Sequence, residues 1–268
     1  MKKTIFITGA SSGLGKATAK LFHEKGWNVV ATMRSPEKET ELNTLENVTL
    51  LPLDVTNLQQ IKDTVAKAIS LHSIDVVFNN AGYGLMGALE ALTEEQILQQ
   101  LNTNFLGVIR ITQAFIPYFR EKKSGLFIST TSMGGFLTFP LHSLYHATKF
   151  ALEGWSEGMS FELNLHNIGI KTVAPGGIIT DFITRSLDKS LHPEYAELEH
   201  KLFGIVDAMM NTGAKPEEIA AIVYEAATDG KDQIRYVAGA DANAMYQRRL
   251  EIGNEAFRKE IRQQILGN

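Results

Sequence analysis

Seven short apolar runs, each the length of a strand, recur along the chain between amphipathic stretches of helix length. They lie at 3–8 (KTIFIT), 28–33 (NVVATM), 48–53 (VTLLPL), 74–78 (IDVVF), 125–130 (GLFIST), 168–174 (IGIKTVA) and 234–238 (IRYVA). Runs that are apolar at consecutive rather than alternate positions bury both faces of a strand, as a parallel sheet covered by helices on both sides requires. Helical patterns at 14–25, 57–70, 94–122, 142–166 and 215–228 fill the intervals. This alternation predicts right-handed βαβ units and an α/β, doubly wound parallel sheet of about seven strands. Thr56 or Asn57 suits the start of the second helix, and Pro216-Glu217-Glu218 suits a first turn. Gly26 closes the first helix, and Gly169 follows the long one.

No linker, repeat or low-complexity run divides the 268 residues, so 1–268 reads as one domain. Residues 179–213 break the alternation and are expected to be a functional insertion with little regular structure. The tail, 241–268, reads as a helical extension, amphipathic through Met245, Leu250, Ile252, Phe257, Ile261 and Ile265 and broken at Gly253.

Composition removes several function classes. Lys+Arg 26 against Asp+Glu 30 gives a net charge of -4 with no basic run, which supplies no face for a nucleic acid. With 0 cysteines there is no disulfide framework, thiolate metal site or Cys nucleophile. The histidines form no H-E-x-x-H, and His142/His146 alone stand at i,i+4, so no metal is expected. The opening Ile5-Phe6-Ile7 run is too short for a signal peptide or a membrane span, and a soluble cytoplasmic protein is expected.

Two motif matches mislead. Gly82-Tyr83-Gly84-Leu85-Met86-Gly87 fits G-x-G-x-x-G, yet it follows the fourth strand and no acid lies about 20 residues on, so a flexible segment above the site is the better reading. Gly154-Trp155-Ser156-Glu157-Gly158 fits the nucleophile elbow of a serine hydrolase, which needs a strand before the Ser and a helix after it. Ser156 falls inside one continuous helical pattern, where the glycines would instead let a neighbouring helix approach.

Two other segments carry chemistry. The first strand runs through Thr8-Gly9-Ala10-Ser11-Ser12-Gly13-Leu14-Gly15 directly into a helix. Glycines there allow a tight turn, and the helix N-terminus offers unpaired N–H groups to a diphosphate. Further on, Tyr145 and Lys149 share one face of the long helix. A phenol with a pKa of about 10 is a poor acid–base catalyst at neutral pH, and a cation one turn away favours the phenolate.

With these motifs in order, the chain resembles the short-chain dehydrogenase/reductase family over most of its length. Thr8 to Gly15 matches T-G-x-x-x-G-x-G, Asp54-Val55 matches the acid–apolar pair after the third strand, and Asn79-Asn80-Ala81-Gly82 matches N-N-A-G. Asn104 matches the active-site Asn, Ser132 precedes Tyr145 by the family spacing, and Pro175-Gly176 through Thr180 matches P-G-x-x-x-T. The resemblance implies a Rossmann sheet whose cofactor contacts include Gly9, Ser11, Ser12, Gly13, Leu14, Gly15, Asp54, Val55, Asn80, Ala81, Gly82, Tyr145, Lys149, Pro175, Gly176, Ile178 and Thr180. Ser129 and Thr130 depart from the usual apolar–Asn pair.

The implied catalytic residues are Asn104, Ser132, Tyr145 and Lys149. Ser132 would bind the carbonyl oxygen and Tyr145 would give it a proton. Lys149 would lower the Tyr145 pKa and hold the nicotinamide ribose, and Asn104 would fix a water that links Lys149 to solvent. An NAD enzyme of this fold ends its second strand with an acid, whereas this one ends in Met33-Arg34-Ser35. Arg34 can pair with a 2′-phosphate, which predicts NADP(H). Met133–Leu141, Gly176-Gly177 and 179–213 would line the substrate pocket, with Phe136, Phe139, Leu141, Phe182, Phe203 and Met209 making it apolar. The segment from Ser132-Met133-Gly134-Gly135-Phe136 through Phe150-Ala151-Leu152-Glu153-Gly154 resembles the steroid- and retinol-dehydrogenase branch, and with the apolar lining it predicts a hydrophobic alcohol or ketone. A catalytically silent dinucleotide-binding regulator and a serine hydrolase are the alternatives. The outer face of 142–166 (Phe150, Gly154, Gly158, Phe161) and that of 103–119 (Phe105, Ile109, Phe115, Ile116) predict a homodimer or homotetramer. The competing possibility is that the C-terminal helix folds over that face.

Overall fold

The computed structural model describes residues 2–180 and 186–267. Its strands are β1 (Thr4–Thr8), β2 (Asn28–Met33), β3 (Val48–Pro52), β4 (Val76–Asn79), β5 (Gly84–Gly87), β6 (Gly125–Thr130), β7 (Ile168–Pro175), β8 (Leu187–Ser190) and β9 (Arg235–Ala238). Seven of them form one parallel sheet in the order β3-β2-β1-β4-β6-β7-β9. The order reverses between β1 and β4, and ligands of open α/β sheets bind outside the strands' carboxyl ends at such a point.

The helices are α1 (Gly13–Glu24), α2 (Leu58–Leu71), α3 (Glu94–Leu101), α4 (Gly107–Lys122), α5 (Ser143–Asn164), α6 (Ala196–Thr212), α7 (Pro216–Thr228), α8 (Ala240–Ile252) and α9 (Asn254–Leu266). Successive strand residues point to opposite faces, so each apolar run feeds two cores. Ile5, Ile7, Val29, Ala31 and Phe78 pack with Phe22 of α1 and Val223 of α7. Phe6, Val30, Val77 and Phe127 pack on the other side with Val65 of α2, Phe115 and Phe119 of α4, and Leu163 of α5. This is the doubly wound α/β sheet expected from the alternation.

The caps hold with one exception. Asn57 caps α2 by accepting the Gln60 N–H at 3.0 Å, Pro216 opens α7, and Gly26 takes φ 81° after α1. Gly169 lies within β7, and the left-handed residue after α5 is Asn167 at φ 57°.

Three further elements differ from the sequence reading. The stretch 94–122 is not one helix: a π-helical turn, Asn102–Leu106, separates α3 from α4. Residues 179–213 are more regular than expected among those described, forming β8, a short 3-10 turn at Pro193–Tyr195, and α6. The G-x-G-x-x-G segment is not a flexible loop, because Gly84–Gly87 are buried as β5 and pair in parallel with β8. The tail breaks at Gly253 (φ 81°) into α8 and α9. Phe257, Ile261 and Ile265 bury against Phe136, Leu137 and Leu202 in a third cluster, not over Phe150 and Phe161.

Candidate active site

A cavity of about 800 Å³ opens at the carboxyl ends of the strands and runs from the glycine turn to α6. Gly9 sits at φ 68°, and a Cβ there would lie 2.9 Å from Ala81 Cα. A Cβ on Gly15 would fall 2.3 Å from the Gly9 carbonyl, so both glycines are needed to fold the turn against β4. Asn80 fastens this corner: its Nδ2 donates to the Thr8 and Gly9 carbonyls at 3.2 and 3.1 Å, and its Oδ1 accepts from Thr130 at 3.2 Å. The Asn80 and Ala81 N–H groups both donate to Thr8 Oγ1, at 2.9 and 3.0 Å. Ser12 at the α1 N-cap makes no side-chain cap, and the first turn carries no acid. The positive end of the helix dipole is therefore left for an anion in the cavity.

Ser11, Ser12, Gly13 and Leu14 line the cavity, and Gly15 stands behind them. Arg34 lines it too, is exposed, and forms no ion pair with another described residue. Asp54 does not cap α2; its Oδ1 accepts from the Thr56 N–H at 2.9 Å and hydroxyl at 2.7 Å. Val55 packs under Gly107, where a Cβ would come within 3.0 Å of it. Across the cavity are Ala81, Gly82, Pro175, Gly176, Ile178 and Thr180, the last crossing over Gly13. Sequence reasoning missed what holds this far wall. Asp241, in the first turn of α8, accepts the Gly177 N–H at 2.8 Å, and its carboxylate leaves no room for a side chain on Gly176. No motif in the sequence marks Asp241, which stands at the start of the tail helix.

Ser132, Tyr145 and Lys149 meet on the wall between β6 and α5. Ser132 caps the 3-10 turn Met133–Gly135 by accepting the Gly134 N–H at 3.0 Å. Gly134 and Gly135 let that turn press on α5: a Cβ on Gly134 would lie 2.8 Å from His146 Nδ1 and 3.2 Å from the Tyr145 ring. The Tyr145 phenol and the Ser132 hydroxyl face the same part of the cavity, close enough for Ser132 to influence the phenol's acidity. Lys149 is buried, its ammonium donates to the Thr130 carbonyl at 2.8 Å, and it stands 5.7 Å from the Tyr145 ring centroid.

The electrostatics differ from the simple expectation for a Tyr–Lys pair. Desolvation raises the Tyr145 pKa, and Ser132 only opposes that shift. Burial lowers Lys149 to about 8, against a raising influence from Glu153. The phenol is thus held in its protonated form, because burial outweighs a cation whose hydrogen bond goes to the main chain.

Asn104 is not in the cavity wall but one layer behind it. Its Oδ1 accepts the Tyr83 N–H at 3.0 Å and its Nδ2 donates to the Tyr83 carbonyl at 2.8 Å. The π-helical turn aims it there, a distortion common at functional sites.

The apolar end of the cavity is lined by Met133, Phe139, Leu202, Ile205, Val206 and Met209. Phe136 and Leu141 are instead buried in the third cluster, Phe203 packs at its edge, and Phe182 lies outside the described residues. His146 receives the Phe139 N–H at Nε2 (2.9 Å), so its Nδ1 carries the proton that meets the Gly134 carbonyl (3.0 Å). Burial foremost, aided by His142, lowers its pKa to about 4. Ser156 is fully buried in the middle of α5, far from any strand-to-turn junction, which removes the nucleophile elbow. Among the described residues nothing lies within 4 Å of a Cβ on Gly154 or Gly158, so no described helix uses them.

A family model described as short chain dehydrogenase matches residues 3–190. The 3-ketodihydrosphingosine reductase of Bacteroides thetaiotaomicron is 36% identical over 223 residues, covering 82% of this chain and 81% of that protein. A short-chain dehydrogenase from Streptomyces avermitilis has a TM-score of 0.85 and 31% identity, covering 98% of this chain and 95% of its own. ElxO with NADP bound has a TM-score of 0.75 and 26% identity, covering 88% and 98%. With the sheet order, the glycine turn and these matches together, the chain belongs to the short-chain dehydrogenase/reductase family of oxidoreductases.

Proposed function

We propose that this oxidoreductase uses NADP(H) and exchanges a hydride with a hydrophobic alcohol or ketone. The observation that carries this reading is that Ser132, Tyr145 and Lys149 face the same cavity as the glycine turn and Arg34. The residues present fit a dinucleotide: a turn with glycine at 9, 13 and 15, an uncompensated helix N-terminus for the diphosphate, and a guanidinium that pairs with no described residue for a 2′-phosphate. ElxO, a structural relative, has been solved with NADP bound, which supports the same cofactor here.

When bound, the dinucleotide supplies or accepts the hydride. In the reducing direction the Ser132 hydroxyl holds the carbonyl oxygen, and the Tyr145 phenol delivers its proton to that oxygen as the carbon gains hydride. Burial keeps that proton on the phenol at neutral pH. The phenolate left behind faces the Lys149 ammonium, which stabilises it and, with a pKa of about 8, can pass a proton on. Alcohol oxidation reverses these steps. Asn104 positions Tyr83 in the wall through its side chain. The apolar lining from Phe139 to Met209 suits an apolar substrate, and a relative is named for a ketodihydrosphingosine.

NADPH consumption should appear against a panel of apolar ketones and aldehydes and be slower with NADH. Binding of NADPH with no turnover on any of them would favour the silent regulator.

We also infer a homodimer or tetramer. Phe161 is 73% exposed on α5, Phe150 is exposed on the same helix and Leu165 just past its end, and the space around Gly154 and Gly158 admits a second helix. Phe115 takes no part, being buried against the sheet. Light scattering should give at least twice the 29.6 kDa of one chain.

A further inference from the structure

The roof of the cavity carries a carboxylate that hydride transfer does not use. Asp188, on β8 opposite Leu85 of β5, lines the cavity and is half-buried. Its Oδ2 accepts from Gln96 Nε2 at 3.1 Å. Gln96 is itself fixed by the capping box that opens α3: its Oε1 accepts the Thr93 N–H at 3.1 Å, and its own N–H meets Thr93 Oγ1 at 3.2 Å. The carboxylate is therefore held in one orientation, with its Oδ1 unpartnered among the described residues.

No described cation offsets that charge. The neighbouring Lys189 places its ammonium 4.5 Å from the Phe203 ring centroid instead. The Tyr83 hydroxyl, enclosed and without a hydrogen-bond partner among the described residues, is pushed up to about 12 by burial and by the negative Asp188. His146 is locked neutral, and burial holds His142 below its ordinary value. Leu187, Leu202, Ile205, Val206 and Met209, which line the same cavity, are apolar. A partly desolvated carboxylate in a cavity wall is costly unless something in the cavity pairs with it.

Resting on the reductase reading, we propose that this roof is a subsite for a protonated amine, so that the substrate is an amphiphile whose apolar chain lies along α6 and whose ammonium meets Asp188. A carboxylate only accepts hydrogen bonds, and an ammonium brings three donors and the opposite charge. A hydroxyl brings one donor and no charge, and a carboxylate ligand is repelled. Selection therefore comes from both attraction and repulsion.

The test measures binding, so it does not depend on turnover. Octylamine, 1-octanol and octanoate share one chain length and are titrated calorimetrically into the full-length protein at pH 7, with and without NADPH. A charge-assisted contact at a half-buried site predicts roughly 10-fold to 100-fold tighter binding of octylamine than of 1-octanol, with octanoate weakest. Asp188→Asn, which keeps size and an acceptor for Gln96, should erase that preference. Glu197→Gln, which removes an exposed carboxylate on α6, should leave it unchanged. Equal affinities for amine and alcohol, a preference surviving Asp188→Asn, or one lost equally in Glu197→Gln would each overturn the subsite. Amine binding of this kind by a protein that reduced no ketone would instead sink the reductase reading alone.

Discussion

Replacing Arg34 with Asp tests the cofactor assignment without disturbing the fold. The guanidinium is exposed at the end of β2 and pairs with no described residue, so its loss should change stability by no more than about 0.5 kcal/mol. A charge-assisted contact to a phosphate is worth about 1.5–3 kcal/mol, and solvent around an exposed guanidinium argues for the lower end. The introduced carboxylate adds repulsion of about 1 kcal/mol at contact distance in water. Together these weaken NADPH binding by roughly 50–100-fold, each 1.4 kcal/mol being about tenfold. NADH, which lacks the 2′-phosphate, should bind almost as before. Titration of both nucleotides by nicotinamide fluorescence, at two ionic strengths, measures the ratio directly. The reasoning is refuted if the parent protein already prefers NADH, or if the variant loses both nucleotides equally.

Three further outcomes are expected. Asp241→Ala removes the acceptor of the Gly177 N–H and should weaken NADPH binding by roughly 5-fold to 100-fold, with Asp241→Asn restoring most of it; equal loss in both would mean that charge, not the hydrogen bond, holds the loop. Lys149, lowered to about 8 from 10.5, binds its proton less tightly folded than unfolded, so its penalty is full at pH 7 and is relieved as pH rises from 8 to 10.5. Any stability advantage of Lys149→Met over the parent should therefore shrink across that window, by up to about 3 kcal/mol, and a difference independent of pH in denaturant melts would contradict the shift. Gly9→Ala forces a Cβ to 2.9 Å from Ala81 Cα at φ 68° and should lower the melting temperature as well as NADPH affinity; a variant matching the parent in both would show that the turn tolerates a side chain.

The large sheet was legible because its strands are buried on both faces: Ile5-Phe6-Ile7 and Val29-Val30-Ala31 leave no polar side to confuse with a helix. β5 and β8 were not, since Gly-Leu-Met-Gly and Leu-Asp-Lys-Ser are four residues each and pair across about a hundred residues of chain. The π-helical turn at Asn102–Leu106 keeps the apolar rhythm of its flanking helices, so periodicity passed over it. α6 was read as irregular because its apolar residues are shared between the cavity and the third cluster and draw no single stripe. Motif spacing foresaw that Ser132, Tyr145 and Lys149 would converge, through the contact of Gly134 with α5. It did not foresee the balance of their charges. Burial, which sets Tyr145 and Lys149, is a property of the packed wall and not of a pair at i,i+4.

Turnover of Tyr145→Phe tests the central claim most directly. The substitution keeps the ring against Gly134 and removes only the hydroxyl proposed as proton donor, so NADPH affinity should stay within about twofold while kcat falls by roughly 10²–10⁴-fold at every pH tested. A variant that binds NADPH normally and reduces the parent's best ketone at near-parental kcat would contradict the account.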